Sequence, residues 1–118
     1  MAAIVGLGLD VVDVARFERA LASAPRLAER VLVPTERALP VRSMAARFAA
    51  KEALAKALGA PGNLRWLDCW VANDSSGRPS LVCQGTVTER LNELGITNLQ
   101  LSLTHDAGLA AAIVIAER

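Results

Sequence analysis

The sequence contains very few aromatic residues: no tyrosine, two phenylalanines and two tryptophans in 118 residues. Proteins that bind single-stranded RNA usually stack bases on aromatic rings, and they carry an excess of basic charge. Here the formal net charge is only +1. An RNA-binding module is therefore disfavoured, and the core must be built mainly from alanine, leucine and valine.

Histidine and cysteine are equally scarce. His105 is the single histidine, which excludes both a cluster of histidine metal ligands and a second histidine as general base. Cys69 and Cys83 fall on two predicted strands either side of a turn, and without a signal peptide we expect them to be free, buried thiols. No apolar run is long enough to span a membrane, so the sequence predicts a cytoplasmic protein without a membrane partner.

The length fits one domain with a core of modest size, and we expect residues 1–118 to form that single domain. Basic residues are unevenly distributed, because seven arginines lie between positions 16 and 47. This asymmetry predicts an acidic partner surface. The alternative is that a bias towards alanine and arginine reflects only a GC-rich genome.

The strongest helix signal runs from Arg47 to Gly59, where alanine and leucine dominate and β-branched residues are absent. Ser43 is the expected N-cap, and Gly59 is the expected residue at which the helix stops. Apolar side chains cover almost its whole circumference. This pattern predicts a buried helix rather than a surface one.

The remaining segments predict strands and shorter helices around this central helix. Strands are expected over 3–9, 66–72, 80–83, 97–104 and 109–116. Helices are expected from Asp13, which can serve as the N-cap, to about Ser23, from Pro25 and over 86–94. The first strand, a short apolar run, is expected to be buried, and the last strand is expected to be buried on both faces. The predicted fold class is α+β, with a mostly antiparallel sheet packed on the central helix.

Four charged residues interrupt the central helix: Arg47, Lys51, Glu52 and Lys56. A buried charge is costly without a partner, so each should meet an opposite charge, a ligand or a metal. Alternatively, the long basic side chains extend to water, and Glu52 with Lys56 forms an ordinary surface pair. For four charges on one apolar helix, a site for a polyanion is the better interpretation.

The run RFAAKEA at 47–53, with Lys56 three residues later, resembles the signature of the holo-acyl-carrier-protein synthases, the small phosphopantetheinyl transferases. The run GLGLD at 6–10, followed by Arg16, is similar to the opening strand and basic helix of that family. Segments 26–32, 77–79 and 102–105 are similar to later family segments, so the resemblance covers nearly the whole chain in order. RFAAKEA is its specific part.

This resemblance implies an enzyme that transfers 4′-phosphopantetheine from coenzyme A to a serine of apo acyl carrier protein and releases adenosine 3′,5′-bisphosphate. It implies that Asp10 and Glu52 hold Mg²⁺, an ion that prefers oxygen ligands, and that both act in catalysis with Lys56. The residues leave open whether Asp10, Glu52 or a metal-bound water is the base. Because the family forms trimers with sites at subunit junctions, a homotrimer is expected.

The resemblance also implies binding roles. Coenzyme A would be bound by Arg47, Lys51, Gly59, Gly77, Arg78, Pro79, Thr104 and His105. Arg16 and Arg26 match basic positions that grip the acidic recognition helix of the carrier protein, through contacts that should weaken in salt. One departure is the segment Gly59-Ala60-Pro61-Gly62, which lacks the hydroxyl of the family's G-T-G.

A rival hypothesis is a non-catalytic α+β domain that binds an acidic protein through its arginine-rich first third. It gives Asp10 and Glu52 no role and predicts no tight binding of coenzyme A. Within the enzyme hypothesis, the sequence does not determine whether the carrier protein serves fatty acid or polyketide synthesis.

Overall fold

The computed structural model describes residues 2–118. The elements in chain order are β1 (Ile4–Asp13), α1 (Val14–Ser23), α2 (Leu27–Val31), α3 (Pro34–Arg37), α4 (Val41–Ala57), a 3₁₀ turn (Trp66–Asp68), β2 (Cys69–Asn73), β3 (Pro79–Cys83), α5 (Gly85–Glu93), β4 (Asn98–Asp106) and β5 (Leu109–Glu117). No helix within the described residues has the length and apolar content needed to cross a bilayer.

The strands form two antiparallel sheets, and α4 packs against both of them. In the larger sheet, β5 lies between β1 and β4, while β2 and β3 form a separate hairpin. Every second residue of β5 is buried beneath α4: Ala110, Ala112, Val114 and Ala116. The predicted α+β class, with a mostly antiparallel sheet on a central helix, is confirmed.

Two glycines in β1 allow α4 to lie almost on the strand backbone. A Cβ atom at Gly8 would lie 1.7 Å from the carbonyl oxygen of Ala53, and one at Gly6 would lie 2.1 Å from that of Ala57. Real Cβ atoms do not approach oxygen so closely. The glycine spacing in β1 therefore sets the distance between sheet and helix.

Because aromatic residues are few, the core is built mainly from aliphatic side chains. Alanines dominate the buried surface of α4, together with the fully buried Leu54 and Leu58. Three of the rings form one stack, with centroid separations of 5.3 Å between Phe17 and Phe48 and 5.3 Å between Phe48 and Trp66. This stack ties α1 and the 3₁₀ turn to the side of α4.

The central helix begins earlier than predicted. It starts at Val41 with Pro40 as its N-cap residue, and Ser43 lies inside the first turn, so the predicted Ser43 cap is wrong. The ring of Pro40 fixes its φ angle near the observed −57° and its carbonyl accepts from the N–H groups of Ser43 and Met44. No side-chain cap is needed at that end.

Two strands are longer than predicted. β1 continues to Asp13 because its pairing with β5 continues as far as Leu109, so Asp10 lies within the strand instead of at its end. β4 continues to Asp106, so His105 belongs to the strand and the turn is formed by Ala107 and Gly108. Residues 66–68, predicted as strand, form the 3₁₀ turn instead.

The first strand, which was predicted to be buried, is exposed on one face. Leu7, Leu9 and Val11 are 60%, 57% and 55% exposed on the face that points away from α4. Alternation of glycine with leucine gives one face that fits the helix and one apolar face that α4 does not cover. In β5, too, only one face is fully buried.

The two cysteines are free, as predicted. Cys69 in β2 lies directly opposite Cys83 in β3, and Cys69 is the more deeply buried. Burial raises the pKa of the Cys69 thiol to about 12 and that of Cys83 to about 11. Both thiols are therefore protonated near neutral pH.

We predict that Gly8→Ala lowers the free energy of unfolding by at least about 3 kcal/mol, because the new methyl group collides with backbone that cannot move aside. The matched control is Gly62→Ala, at a position with no atom within 4 Å of the new Cβ. That change should stay within about 0.5 kcal/mol of the wild type. Urea denaturation of both variants measures the difference, and equal stabilities would contradict the proposed role of the close approach.

Candidate active site

Asp10 of β1 and Glu52 of α4 lie near each other across the sheet–helix interface. Asp10 points towards α4 because it shares a face of β1 with Gly6 and Gly8. Lys56, one helical turn after Glu52, donates to Asp10 Oδ1 at 3.1 Å and to the carbonyl of Leu9 at 2.9 Å. Two carboxylates and one ammonium thus form a compact charged cluster.

The electrostatics of this cluster favour a cation. The pKa of Glu52 is raised above its ordinary value, first by burial and then by the negative charge of Asp10, while Lys56 acts in the opposite direction. Repulsion between two carboxylates is relieved when a positive ion binds between them. The residues therefore suit a bound metal ion.

The donor set indicates which kind of metal would fit. Among residues 2–118 there is no group of three or more histidine, cysteine, aspartate or glutamate side chains that could hold a metal by itself. Two carboxylates alone are typical of Mg²⁺ sites, in which water and substrate phosphates supply the other ligands. The site fits Mg²⁺ that is shared with a phosphate-containing ligand.

A groove of about 540 Å³ runs beside the two carboxylates. Its polar wall includes Asp10, Glu52 and Arg16, and its apolar wall includes Phe17 and Phe48. Arg16 lies in the first turn of α1, which is fixed because Asp13 accepts from the Arg16 N–H at 2.9 Å, as the predicted Asp13 cap requires. The apolar wall was not predicted, although the scarcity of rings could have drawn attention to the two phenylalanines.

Glu52 also lines a second cavity, of about 270 Å³, on another side of α4. Trp66, Cys69 and residues 60–62 form much of its wall. Gly59 ends α4 in the left-handed conformation, with φ +84°, and Ala60 follows with φ 49°. The Gly59-Ala60-Pro61-Gly62 departure thus shapes a cavity wall directly beside Glu52.

Lys51 is placed differently from the prediction. Its side chain is 1% exposed, and its ammonium group pairs with Glu36 Oε1 at 2.7 Å. It also donates to the carbonyls of Val31 at 2.7 Å and Trp66 at 3.1 Å. All three ammonium protons are committed inside the protein, so the predicted contact of Lys51 with coenzyme A phosphates does not fit this structure.

Sequence reasoning missed Glu36, the partner of Lys51. The sequence did contain an indication of its role, because Glu36 lies three residues after Val33. A glutamate at that position often accepts a hydrogen bond from the N–H group at the start of a helix. The structure has this bond, Val33 N–H to Glu36 Oε1 at 3.1 Å, and Glu36 Oε2 accepts from Val71 N–H at 3.2 Å. One carboxylate therefore serves both as a cap and as a buried counter-charge.

Arg47 lies with the β2–β3 hairpin and not with the carboxylate cluster. Its Nη2 donates to Asn73 Oδ1 at 3.0 Å, and the Asn73 amide donates to the carbonyl of Gly77 at 3.0 Å. Arg78 and Pro79 follow and line a cavity of about 300 Å³ next to β4. Four residues predicted to bind coenzyme A are thus grouped at this hairpin.

The remaining predicted residues are exposed and separate from the cluster. Thr104 and His105 lie on β4, and β5 separates that strand from β1. Within residues 2–118, neither makes a hydrogen bond or ion pair to Asp10, Glu52 or Lys56. Arg26 is exposed immediately before α2 and does not line the 540 Å³ groove.

Comparisons with known proteins agree with the resemblance seen in the sequence. The model of the 4′-phosphopantetheinyl transferase superfamily matches residues 6–114. A holo-[acyl-carrier-protein] synthase of Beutenbergia cavernae is 58% identical, covering 98% of this chain and 99% of the relative. The solved holo-[acyl-carrier-protein] synthase of Neisseria meningitidis is similar with a TM-score of 0.89 at 32% identity, covering 98% of this chain and 100% of that one.

A second similar structure, the holo-[acyl-carrier-protein] synthase of Helicobacter pylori in complex with coenzyme A, has a TM-score of 0.82 and 32% identity, covering 93% of this chain and 98% of that one. The family match, the relatives and the fold all agree over almost the full length. This chain therefore belongs to the 4′-phosphopantetheinyl transferase superfamily.

Proposed function

We propose that this chain is a holo-[acyl-carrier-protein] synthase, an enzyme that transfers 4′-phosphopantetheine from coenzyme A to a serine of apo acyl carrier protein. The observation that carries the proposal is the cluster of Asp10, Glu52 and Lys56, in which carboxylates and an ammonium group meet beside an open groove. The names of full-length relatives and the coenzyme A complex of a similar structure support it. Residues 1–118 would act as one transferase domain.

In this reaction the serine oxygen forms a bond to the phosphorus that carries pantetheine, and the bond from that phosphorus to the leaving phosphate breaks. Mg²⁺ held by Asp10 and Glu52 would neutralise charge on the diphosphate. The serine proton would pass to Asp10, to Glu52 or to a water bound to the metal, the three candidate bases of this cluster.

Lys56 is suited to the leaving group. Its side chain is 51% exposed, and its ammonium group is held to Asp10 and the Leu9 carbonyl by only two hydrogen bonds, which leaves one proton free. Adenosine 3′,5′-bisphosphate gains negative charge as it leaves. An ammonium group beside it stabilises that charge without a change in covalent structure.

Binding roles follow the resemblance, apart from Lys51. We assign Arg47, Gly59 and the segment 77–79 to coenzyme A, together with Thr104 and His105. Arg16 supports the docking of an acidic carrier surface because it lines the same groove as the carboxylates. Arg26, exposed before α2, would extend that basic surface.

A homotrimer would bring the predicted coenzyme A residues of one subunit close to the carboxylate cluster of another. The exposed apolar side chains of β1, Leu7, Leu9 and Val11, form a surface that a second copy could cover. Thr104 and the hairpin at 77–79 would then reach the carboxylate cluster from a neighbouring subunit. A cytoplasmic location stays a prediction from the sequence.

The first prediction from the proposed function concerns the reaction itself. Incubation of an apo acyl carrier protein with coenzyme A, Mg²⁺ and this protein should add one phosphopantetheine to the carrier, as measured by intact mass. Asp10→Asn and Glu52→Gln should each reduce the rate by at least about 10²-fold, because each removes a charged group from the reacting cluster. Glu89→Gln, an exposed change on α5, is the matched control and should keep the wild-type rate.

A carrier that gains no mass with any tested substrate, together with no binding of coenzyme A, would favour the rival binding domain. Activity that persists in both variants would support the enzyme hypothesis but contradict the catalytic roles assigned to Asp10 and Glu52.

The second prediction concerns Glu52 and pH. Its raised pKa means that the folded protein binds this proton more tightly than the unfolded chain, so the ionised group opposes folding. The penalty is absent below the ordinary pKa of 4.5 and develops as the pH rises through the raised value. Without metal, Glu52→Gln should therefore be more stable than the wild type at pH 7 and equally stable near pH 4.

Thermal unfolding at the two pH values measures this difference. Added Mg²⁺ should stabilise the wild type more than Glu52→Gln, because the variant lacks one carboxylate ligand. A variant that is less stable at pH 7 without metal would contradict the cost of ionising Glu52, to which burial contributes first and the charge of Asp10 second.

The third prediction concerns assembly. Leu9→Arg places a charge in the exposed apolar face of β1 and should convert the trimer to monomers in analytical ultracentrifugation, with loss of transfer activity. The matched control, Leu67→Arg, changes an exposed leucine of the 3₁₀ turn, 39% exposed, and should stay trimeric. A wild type that sediments as a monomer at high concentration would contradict the proposed homotrimer.

A further inference from the structure

The buried pair of Lys51 and Glu36 forms a completely satisfied polar network. The Lys51 ammonium has three acceptors: Glu36 Oε1, the carbonyl of Val31 and the carbonyl of Trp66. The Glu36 carboxylate accepts in addition from the N–H groups of Val33 and Val71. Each proton of the ammonium and each oxygen of the carboxylate has a partner.

The network joins α4 to several segments that are distant in sequence. Val31 ends α2, Val33 is the N-cap residue of α3, Trp66 lies in the 3₁₀ turn and Val71 is in β2. Four of the five contacts therefore end on main-chain groups, whose positions are fixed by local secondary structure. Lys51 is the only member on α4, so the network acts on that helix at a single point.

Lys51, the residue of α4 on which the network acts, directly precedes Glu52. Lys51 and Glu52 line the same cavity of about 270 Å³, together with Trp66. The carbonyl of Trp66 accepts a hydrogen bond from the Lys51 ammonium group. A rotation or a slide of α4 that displaced Glu52 from Asp10 would also pull the ammonium away from its three acceptors. The network thus resists the motions that would open the carboxylate pair.

Other contacts of α4 resist such motions less. The buried surface of the helix consists mostly of alanines, including Ala46, Ala50, Ala53 and Ala57. Small side chains interlock only weakly with a facing sheet. The close approach at Gly8 fixes how near α4 lies to β1, but it does less to prevent α4 from sliding along the strand. Buried ion pairs are often no more stabilising than apolar residues of equal size, and their best-supported benefit is to fix one arrangement.

We propose that Lys51 and Glu36 are positioning residues, which hold α4 so that Glu52 faces Asp10 at the separation required for a divalent cation. This inference rests on the proposed function only in its final consequence, the transfer rate. The geometric part concerns binding of a metal ion and can be measured without substrate.

The test uses the full-length protein and Mn²⁺ alone, titrated by electron paramagnetic resonance. Lys51→Met removes the network, and Glu36→Gln, a milder change, removes the counter-charge while keeping the shape. Both should weaken Mn²⁺ binding per folded molecule by about 10-fold or more, the range typical when a group that orients a ligand is lost. The folded fraction is measured by near-ultraviolet circular dichroism at 10 °C.

The matched control is Ile96→Ala, which truncates a buried side chain outside both cavities next to Glu52. It should destabilise the fold yet leave Mn²⁺ affinity unchanged. Steady-state kinetics should agree: the two network variants should lose kcat by about 10-fold or more, with little change in KM for the carrier protein.

The results separate positioning from simple stability. Mn²⁺ affinity that is unchanged in Glu36→Gln, or lowered equally in Ile96→Ala, would overturn the proposal, and so would a wild type that binds no Mn²⁺. If Lys51→Met does not fold, the Mn²⁺ affinity of Glu36→Gln alone decides whether the proposal holds. A wild type that binds Mn²⁺ but transfers nothing would contradict the proposed function while the binding measurements still test the positioning role.

Discussion

The contact between the backbone of β1 and that of α4 sets the geometry of the whole molecule. Because positions 6 and 8 carry no side chain, the carbonyls of Ala53 and Ala57 lie where Cβ atoms would otherwise be. The helix therefore lies directly on the sheet. Asp10, two residues beyond Gly8 on the same face, is thereby brought to the turn of α4 that carries Glu52 and Lys56.

The charges of α4 are accommodated in different ways along one helix. Lys51 is neutralised inside the protein by Glu36, while Lys56 reaches the partly exposed Asp10. Glu52 has no ion pair within the described residues, and its pKa is raised first by burial and then by the negative charge of Asp10. A helix of small residues can hold such unlike charges because alanine leaves room for the two lysines to turn towards different carboxylates.

Much of this was predictable from sequence. The fold class, the central helix, the Asp13 cap and the juxtaposition of a β1 carboxylate with α4 follow from periodicity, capping residues and a specific motif. The partner of Lys51 was not predictable, because periodicity shows that a lysine enters an apolar face but not which distant carboxylate meets it. The exposed face of β1 escaped prediction for a similar reason: an apolar run indicates burial without indicating by what.

The state of Cys69 and Cys83 has a chemical consequence for a protein proposed to handle coenzyme A. Disulfide exchange proceeds through the thiolate, and a thiol with a pKa of about 12 is ionised only about once in 10⁵ molecules at pH 7. Cys69 lines the cavity beside Glu52, where a substrate thiol or its oxidised form could approach. Burial thus protects the chain from forming a mixed disulfide with its own substrate.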